Sequence, residues 1–169
     1  LGLFAATGLI PRAEGMPGDI YSFLQHARKA PDSGAKPLFF YQNGSPEALA
    51  WALRRITGLN WAQLVEQRIW SRFAQDDAYV QVDPLGTEMA SGGISCNLRD
   101  SARFAERVRR ELARDVKDDS FNQAVRSTFQ PADPALFAQG NLAPGRPGYA
   151  YRNYWFQKHD GDGAVEASG

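Results

Sequence analysis

One cysteine and two histidines among 169 residues leave little material for a disulfide framework or a metal centre. Cys96 has no second thiol to pair with, which excludes an internal disulfide and any cysteine-rich metal site. His26 and His159 lie far apart in sequence and lack ligand spacing. A charge excess of either sign is also missing: 19 basic and 19 acidic side chains cancel, so no polyanion is advertised as a partner and nucleic acid binding is not expected. The one apolar run at the start, Leu1 to Ile10, has no basic leader and is too short to span a bilayer. No repeat or low-complexity segment is present. What remains is 43% apolar and 12% aromatic residues in a chain of one-domain size, enough to bury a core.

Periodicity predicts a mainly helical organisation over residues 1–147. Asp19 is a cap for a helix in which Ile20, Phe23, Leu24 and Ala27 share a face, with Pro31 as its stop. A second helix carries Ala48, Leu49, Ala52, Leu53 and Ile56 and ends at Gly58. Asn60 and Gln63 form a capping-box pattern for a third helix through about Arg72. A short extended piece is expected at Tyr79 to Val82. Asn97 caps a fourth helix, whose buried stripe is read as Ala102, Ala105, Val108 and Leu112, with Arg107, Arg109 and Arg110 in water. A short helix follows from Asp119 to Ser127, then a loop rich in Pro and Gly from Pro131 to Pro147. Residues 148–169 begin a sheet: Gly148 to Gln157 reads as one strand, aromatic on both faces and therefore covered on both.

The segment with the most chemical promise is Phe39-Phe40-Tyr41-Gln42-Asn43-Gly44-Ser45-Pro46-Glu47. In an extended approach, Tyr41 and Asn43 would project from one face. Ser45 reads as the N-cap of the next helix, Pro46 as its first residue, and Glu47 as a complement to its dipole. Tyr41 is either a functional phenol or a core one. Asn43 either orients a reacting group or caps the helix. Ser91, before Gly92-Gly93, either lines a cleft or is simply loop. Cys96 reads as a small buried thiol and His159-Asp160 as a solvated turn.

Several pieces in order resemble the serine hydrolases related to β-lactamases and penicillin-binding proteins. They are Phe40-Tyr41-Gln42-Asn43, then Leu49-Ala50-Trp51-Ala52-Leu53 leading to Ile56-Thr57-Gly58, then Val65-Glu66-Gln67-Arg68-Ile69-Trp70, then Gly92-Gly93-Ile94 with Leu98 to Phe104. Tyr151-Arg152-Asn153-Tyr154-Trp155-Phe156 is similar to a strand of the branch that includes 6-aminohexanoate-oligomer hydrolases and related esterases. Phe73-Ala74 and Ala105 depart from the family pattern, and residues 115–147 match it weakly. The resemblance implies an α/β (α+β type) fold, of which this chain holds mostly the helical domain and a returning strand of the antiparallel sheet.

It also implies acyl transfer. A serine and a lysine one helical turn later serve as nucleophile and amine, and Tyr41 acts with the lysine as proton shuttle. A phenol, with a free pKa of roughly 10, needs such a cation to work as a base. Asn43 would orient the lysine or bond a substrate carbonyl. The substrate implied is a small ester or amide, with no metal or organic cofactor. Ser33-Gly34-Ala35-Lys36 spells the nucleophile motif, but Gly34 and the flanking prolines make it a loop. The nucleophile is therefore expected upstream of Leu1 and the late Lys/His-x-Gly strand beyond Gly169. On that expectation the chain is an internal piece, inactive alone, whose terminal strand lacks sheet neighbours. A β-lactamase, a D,D-peptidase and a non-catalytic binder keeping the fold are the other readings.

Overall fold

A computed structural model describes residues 2–28, 39–158 and 165–166. The segment containing Pro31, Ser33 and Lys36, and the His159-Asp160 pair, lie outside the described residues. The described chain divides into two compact units: residues 2–28 and 42–104 form one, and residues 39–41, 105–158 and 165–166 the other. No helix among the described residues is long and apolar enough to cross a membrane.

In the first unit the opening apolar run forms a short helix, α1 (Gly2–Ala6), which periodicity over so few residues did not predict. Asp19 starts α2 (Ile20–His26) by accepting the Ser22 amide at 2.8 Å and the Ser22 hydroxyl at 2.6 Å. Those bonds, the hydroxyl first, hold the Asp19 carboxyl below its usual range. Leu3, Ile20 and Met89 form a small buried core against Phe4, Phe23 and Leu24. Burial of each such side chain contributes roughly 1.5–3 kcal/mol.

α3 (Gly44–Thr57) begins two residues earlier than expected. Asn43 occupies the N-cap position with helical backbone, and Ser45 is already inside the helix, its hydroxyl accepting from Gln42 Nε2 at 2.9 Å. Pro46 is tolerated because first-turn amides have no partner within the helix. Gly58, at φ 72°, ends α3 in the left-handed conformation that glycine adopts freely. The capping box of α4 (Trp61–Arg68) is present in both directions, at 2.8 Å and 3.0 Å. α4 stops short of Arg72, and a separate 3-10 turn follows at Trp70–Arg72. β1 (Tyr79–Val80) pairs antiparallel with β2 (Ile94–Ser95), and a separate antiparallel bridge joins Val82 to Glu88 in the segment between them.

α5 (Leu98–Leu112) starts as expected, with Asn97 Oδ1 accepting the Asp100 amide at 2.7 Å, but it buries a different face. Asp100 is 0% and Glu111 1% exposed, with Val108 between them, whereas Ala102, Ala105 and Leu112 are exposed. The carboxylates can be buried because each is bonded: Asp100 to the Gln75 and Asp76 amides and to Arg103, Glu111 to Asn122 and Arg107. Arg107 is consequently half-buried rather than solvated, while Arg109 and Arg110 sit in water clasping Glu106, whose carboxyl they pull down to about 2. Cys96 is exposed, not buried, with its sulfur 3.2 Å from the Ser101 hydroxyl.

The second unit contains α6 (Ser120–Thr128), close to the expected short helix but with Asp119 as its cap rather than its first residue, and α7 (Pro134–Phe137), which the Pro/Gly loop concealed. Asp133 caps α7 with Pro134 as its first residue. Gly148 to Gln157 is not one strand but a hairpin: β3 (Tyr149–Arg152) and β4 (Trp155–Lys158) join through Asn153-Tyr154, and β4 also pairs with β5 (Val165–Glu166). The strand thus has antiparallel neighbours. Both faces of β4 are covered, as its aromatic content predicted. Phe156 lies among Tyr41, Phe137 and Tyr151, while Gln157, on the other face, bonds the backbone of Thr128, Gln130 and Ala132.

Candidate active site

Tyr41 belongs to the second unit, where a remote loop fixes its backbone. Asn141 Oδ1 accepts the Tyr41 amide at 2.7 Å, and Asn141 Nδ2 donates to the Tyr41 carbonyl at 3.0 Å. One side chain therefore satisfies both backbone groups of Tyr41, as a neighbouring strand would. Gly140 permits this approach, because a Cβ there would lie 2.8 Å from the Phe39 carbonyl oxygen and 3.1 Å from that of Phe137.

Ring packing holds the Tyr41 side chain. Phe39 sits 5.0 Å from Phe137 and 4.9 Å from Tyr151, while Tyr41 stands edge-on to Tyr151 at 5.9 Å and near-parallel to Phe156 at 6.4 Å. Among the described residues, nothing hydrogen-bonds the Tyr41 hydroxyl. Burial pushes the Tyr151 phenol well above its ordinary value, with smaller contributions from negative charge on Tyr41 and Tyr154. The Tyr154 phenol is raised too, by burial and then by Tyr41. Both are therefore neutral hydroxyls at ordinary pH, able to donate a hydrogen bond.

Asn43 and Ser91 belong to the first unit. Asn43 is half-buried and its side chain makes no capping bond, so the cap reading of this residue is not realised. Its backbone is already helical, and the strand-like alternation that would align it with Tyr41 does not extend to it. Ser91 is half-buried in the loop before β2, its hydroxyl oxygen shielded and without a hydrogen-bond partner among the described residues. Its amide donates to Glu47 Oε1 at 2.8 Å and that of Ala90 to Glu47 Oε2 at 3.1 Å. Glu47 is 2% exposed. Read as a complement to the helix dipole, this carboxylate instead ties the start of α3 to the Ser91 loop.

Glu47, Gly140 and Asn141 are the residues that sequence reasoning missed. A carboxylate in an apolar-faced helix and a Gly-Asn pair within a loop were the available signals. A cavity of about 230 Å³ bounded by Trp61, Val65, Trp70, Tyr79 and Ile94 includes none of Tyr41, Asn43 and Ser91.

A helical body, antiparallel closing strands and a Tyr-x-Asn at the start of α3 are the make-up of a piece of the β-lactamase-like fold. Comparison with known proteins narrows this. Over 99 residues the chain is 35% identical to the 6-aminohexanoate-dimer hydrolase of Paenarthrobacter ureafaciens, a match covering 58% of this chain and 24% of that protein. A solved structure described as "Putative 6-aminohexanoate-dimer hydrolase from Bacillus anthracis" superposes with a TM-score of 0.79 at 31% identity, covering 99% of this chain and 42% of that one. No protein-family profile matches the chain. The resemblance to the 6-aminohexanoate-dimer hydrolase branch of the β-lactamase-like family is thus borne out in sequence and in fold. The chain spans about a quarter of the length of the curated relative and less than half that of the structural one.

Proposed function

We propose that the protein to which this chain belongs is a serine hydrolase that cleaves an ester or amide through an acyl-enzyme, with Tyr41 as its proton shuttle. The observation that carries the reading is the Asn141 clamp. A side chain 100 residues away holds both backbone groups of Tyr41, while the phenol hydroxyl takes no hydrogen bond from the described residues. A core tyrosine gains nothing from that combination, since a buried phenol is normally bonded. A reacting one needs a fixed ring and a free oxygen.

In this reading a Ser-x-x-Lys pair outside this sequence supplies the nucleophile and the amine. The lysine cation favours the phenolate of Tyr41, which accepts the serine proton during attack on the carbonyl and returns it to the leaving group. Asn43, with its side chain uncommitted to capping, bonds the lysine or the substrate carbonyl. Ser91 lines the cleft. Following the names of its relatives, the substrate is a short oligomer with an aliphatic chain, such as the 6-aminohexanoate dimer.

The test is Tyr41→Phe in the complete gene product, assayed on p-nitrophenyl esters and the linear 6-aminohexanoate dimer. Acylation should slow by about 100-fold or more, the usual contribution of a positioned acid–base group. Near-normal turnover would remove Tyr41 from the mechanism.

A further inference from the structure

The hairpin between β3 and β4 turns through two residues at positive φ, Asn153 at 48° and Tyr154 at 70°. A two-residue hairpin turn of type I′ requires this of both central residues, and its second position is ordinarily glycine. Asparagine enters the left-handed region readily, whereas a tyrosine there is strained. Asn153 also donates to the Thr128 hydroxyl at 3.3 Å, so the turn has its own anchor without Tyr154. The tyrosine gets little in return from its fold. Its one ring contact among the described residues is an edge-on pair with Tyr151 at 6.4 Å, its hydroxyl has no partner there, and it is 49% exposed. Strain kept at a position where a glycine would fit, without packing to offset it, is the pattern of a functional side chain.

Its neighbours indicate the function. Tyr151 stands edge-on to Tyr41 at 5.9 Å and to the half-exposed Tyr154 at 6.4 Å, so a single ring bridges the two.

We propose that Tyr154 is a specificity-determining residue, whose exposed ring face packs on the aliphatic chain of an ester or amide held for reaction at Tyr41. The assignment rests on the proposed role of Tyr41. An aromatic face covers methylene groups without fixing their number, and recognition by it grows with chain length.

The experiment uses the complete gene product, with p-nitrophenyl acetate and p-nitrophenyl hexanoate as probes, and the variants Tyr154→Gly, Tyr154→Asn and Tyr154→Phe. Glycine and asparagine accept the turn backbone and remove the ring, so both should fold with a melting temperature no lower than that of the parent. Both should raise KM for the hexanoate by about tenfold relative to the acetate, with kcat changed much less. Tyr154→Phe keeps the ring and should keep the chain-length preference. An unchanged KM ratio in the glycine and asparagine variants, or a loss of folding in both, would overturn the proposal and make Tyr154 a structural element of the turn. Tyr41→Phe runs alongside. If it remains active, the Tyr41 reading fails; if it is inactive while the Tyr154 variants keep the parental KM ratio, the Tyr154 assignment alone fails.

Discussion

Replacing Glu47 by Gln keeps the shape of the side chain and removes one acceptor from the start of α3. In the native structure the carboxylate receives the Ser91 amide at 2.8 Å and the Ala90 amide at 3.1 Å, with the side chain 2% exposed. A glutamine can offer its carbonyl to one of these amides but must turn its own NH2 toward the other. A hydrogen bond to a charged group contributes about 1.5–3 kcal/mol, and this is the scale of the expected loss. For a chain of this size, each kcal/mol lowers the melting temperature by roughly 2–4 °C. The more specific readout is amide hydrogen exchange at Ala90 and Ser91. If Glu47 limits local opening of this loop, the substitution should speed exchange at both positions by on the order of 10- to 100-fold. The α4 amides should be little affected, since the capping box holding that helix is independent of Glu47. Unchanged protection at Ala90 and Ser91 would refute the reasoning and return Glu47 to the lesser role of complementing the helix dipole.

Two further substitutions probe each unit separately. The Asp100 carboxyl is held below its usual range: burial alone would raise it, but Arg103, the amides of Gln75 and Asp76, and Asn97 together outweigh that. Because its folded pKa lies below the unfolded value, its stabilisation is complete above about pH 4 and lost as pH falls through the folded value. Denaturant titrations between about pH 5 and pH 2 should show the parent losing more stability than Asp100→Asn, and equal slopes would sink the assignment. In the second unit, Gly140→Ala sets a Cβ against two backbone carbonyls, at 2.8 Å and 3.1 Å, neither able to swing aside. A cost of about 1–3 kcal/mol and a change in near-ultraviolet circular dichroism from the Tyr41 ring cluster are expected, and an unaltered spectrum and melting curve would show that the loop yields freely.

What could be read from the residues was what closes over three or four positions. Asp19 to Ser22, Asn60 to Gln63 and Asn97 to Asp100 are bonds within one turn, and each was legible because cap and amide are near neighbours in the chain. The misread face of α5 shows where that logic stops. Ala102, Ala105 and Leu112 read as the buried side, but Gln75, Asp76 and Asn122, distant in sequence, bond Asp100 and Glu111 and make the burial of these carboxylates tolerable. The hairpin was hidden for a different reason: the Asn153-Tyr154 turn lacks the glycine that announces such loops, so two strands read as one.

The candidate site divides along the same line. Tyr41 and Asn43 stood out through their own residue types and the helix that follows. Asn141, which fixes Tyr41 from 100 residues away, and Glu47, which fixes Ser91 from 44 residues away, act through backbone groups that carry no residue identity. A single sequence therefore discloses the reacting candidates before it discloses what holds them. Tyr154 marks the opposite case: its type was plain, but only its backbone conformation shows that another residue would suit the turn better. That misfit between residue and conformation separates it from the other aromatic residues of the hairpin.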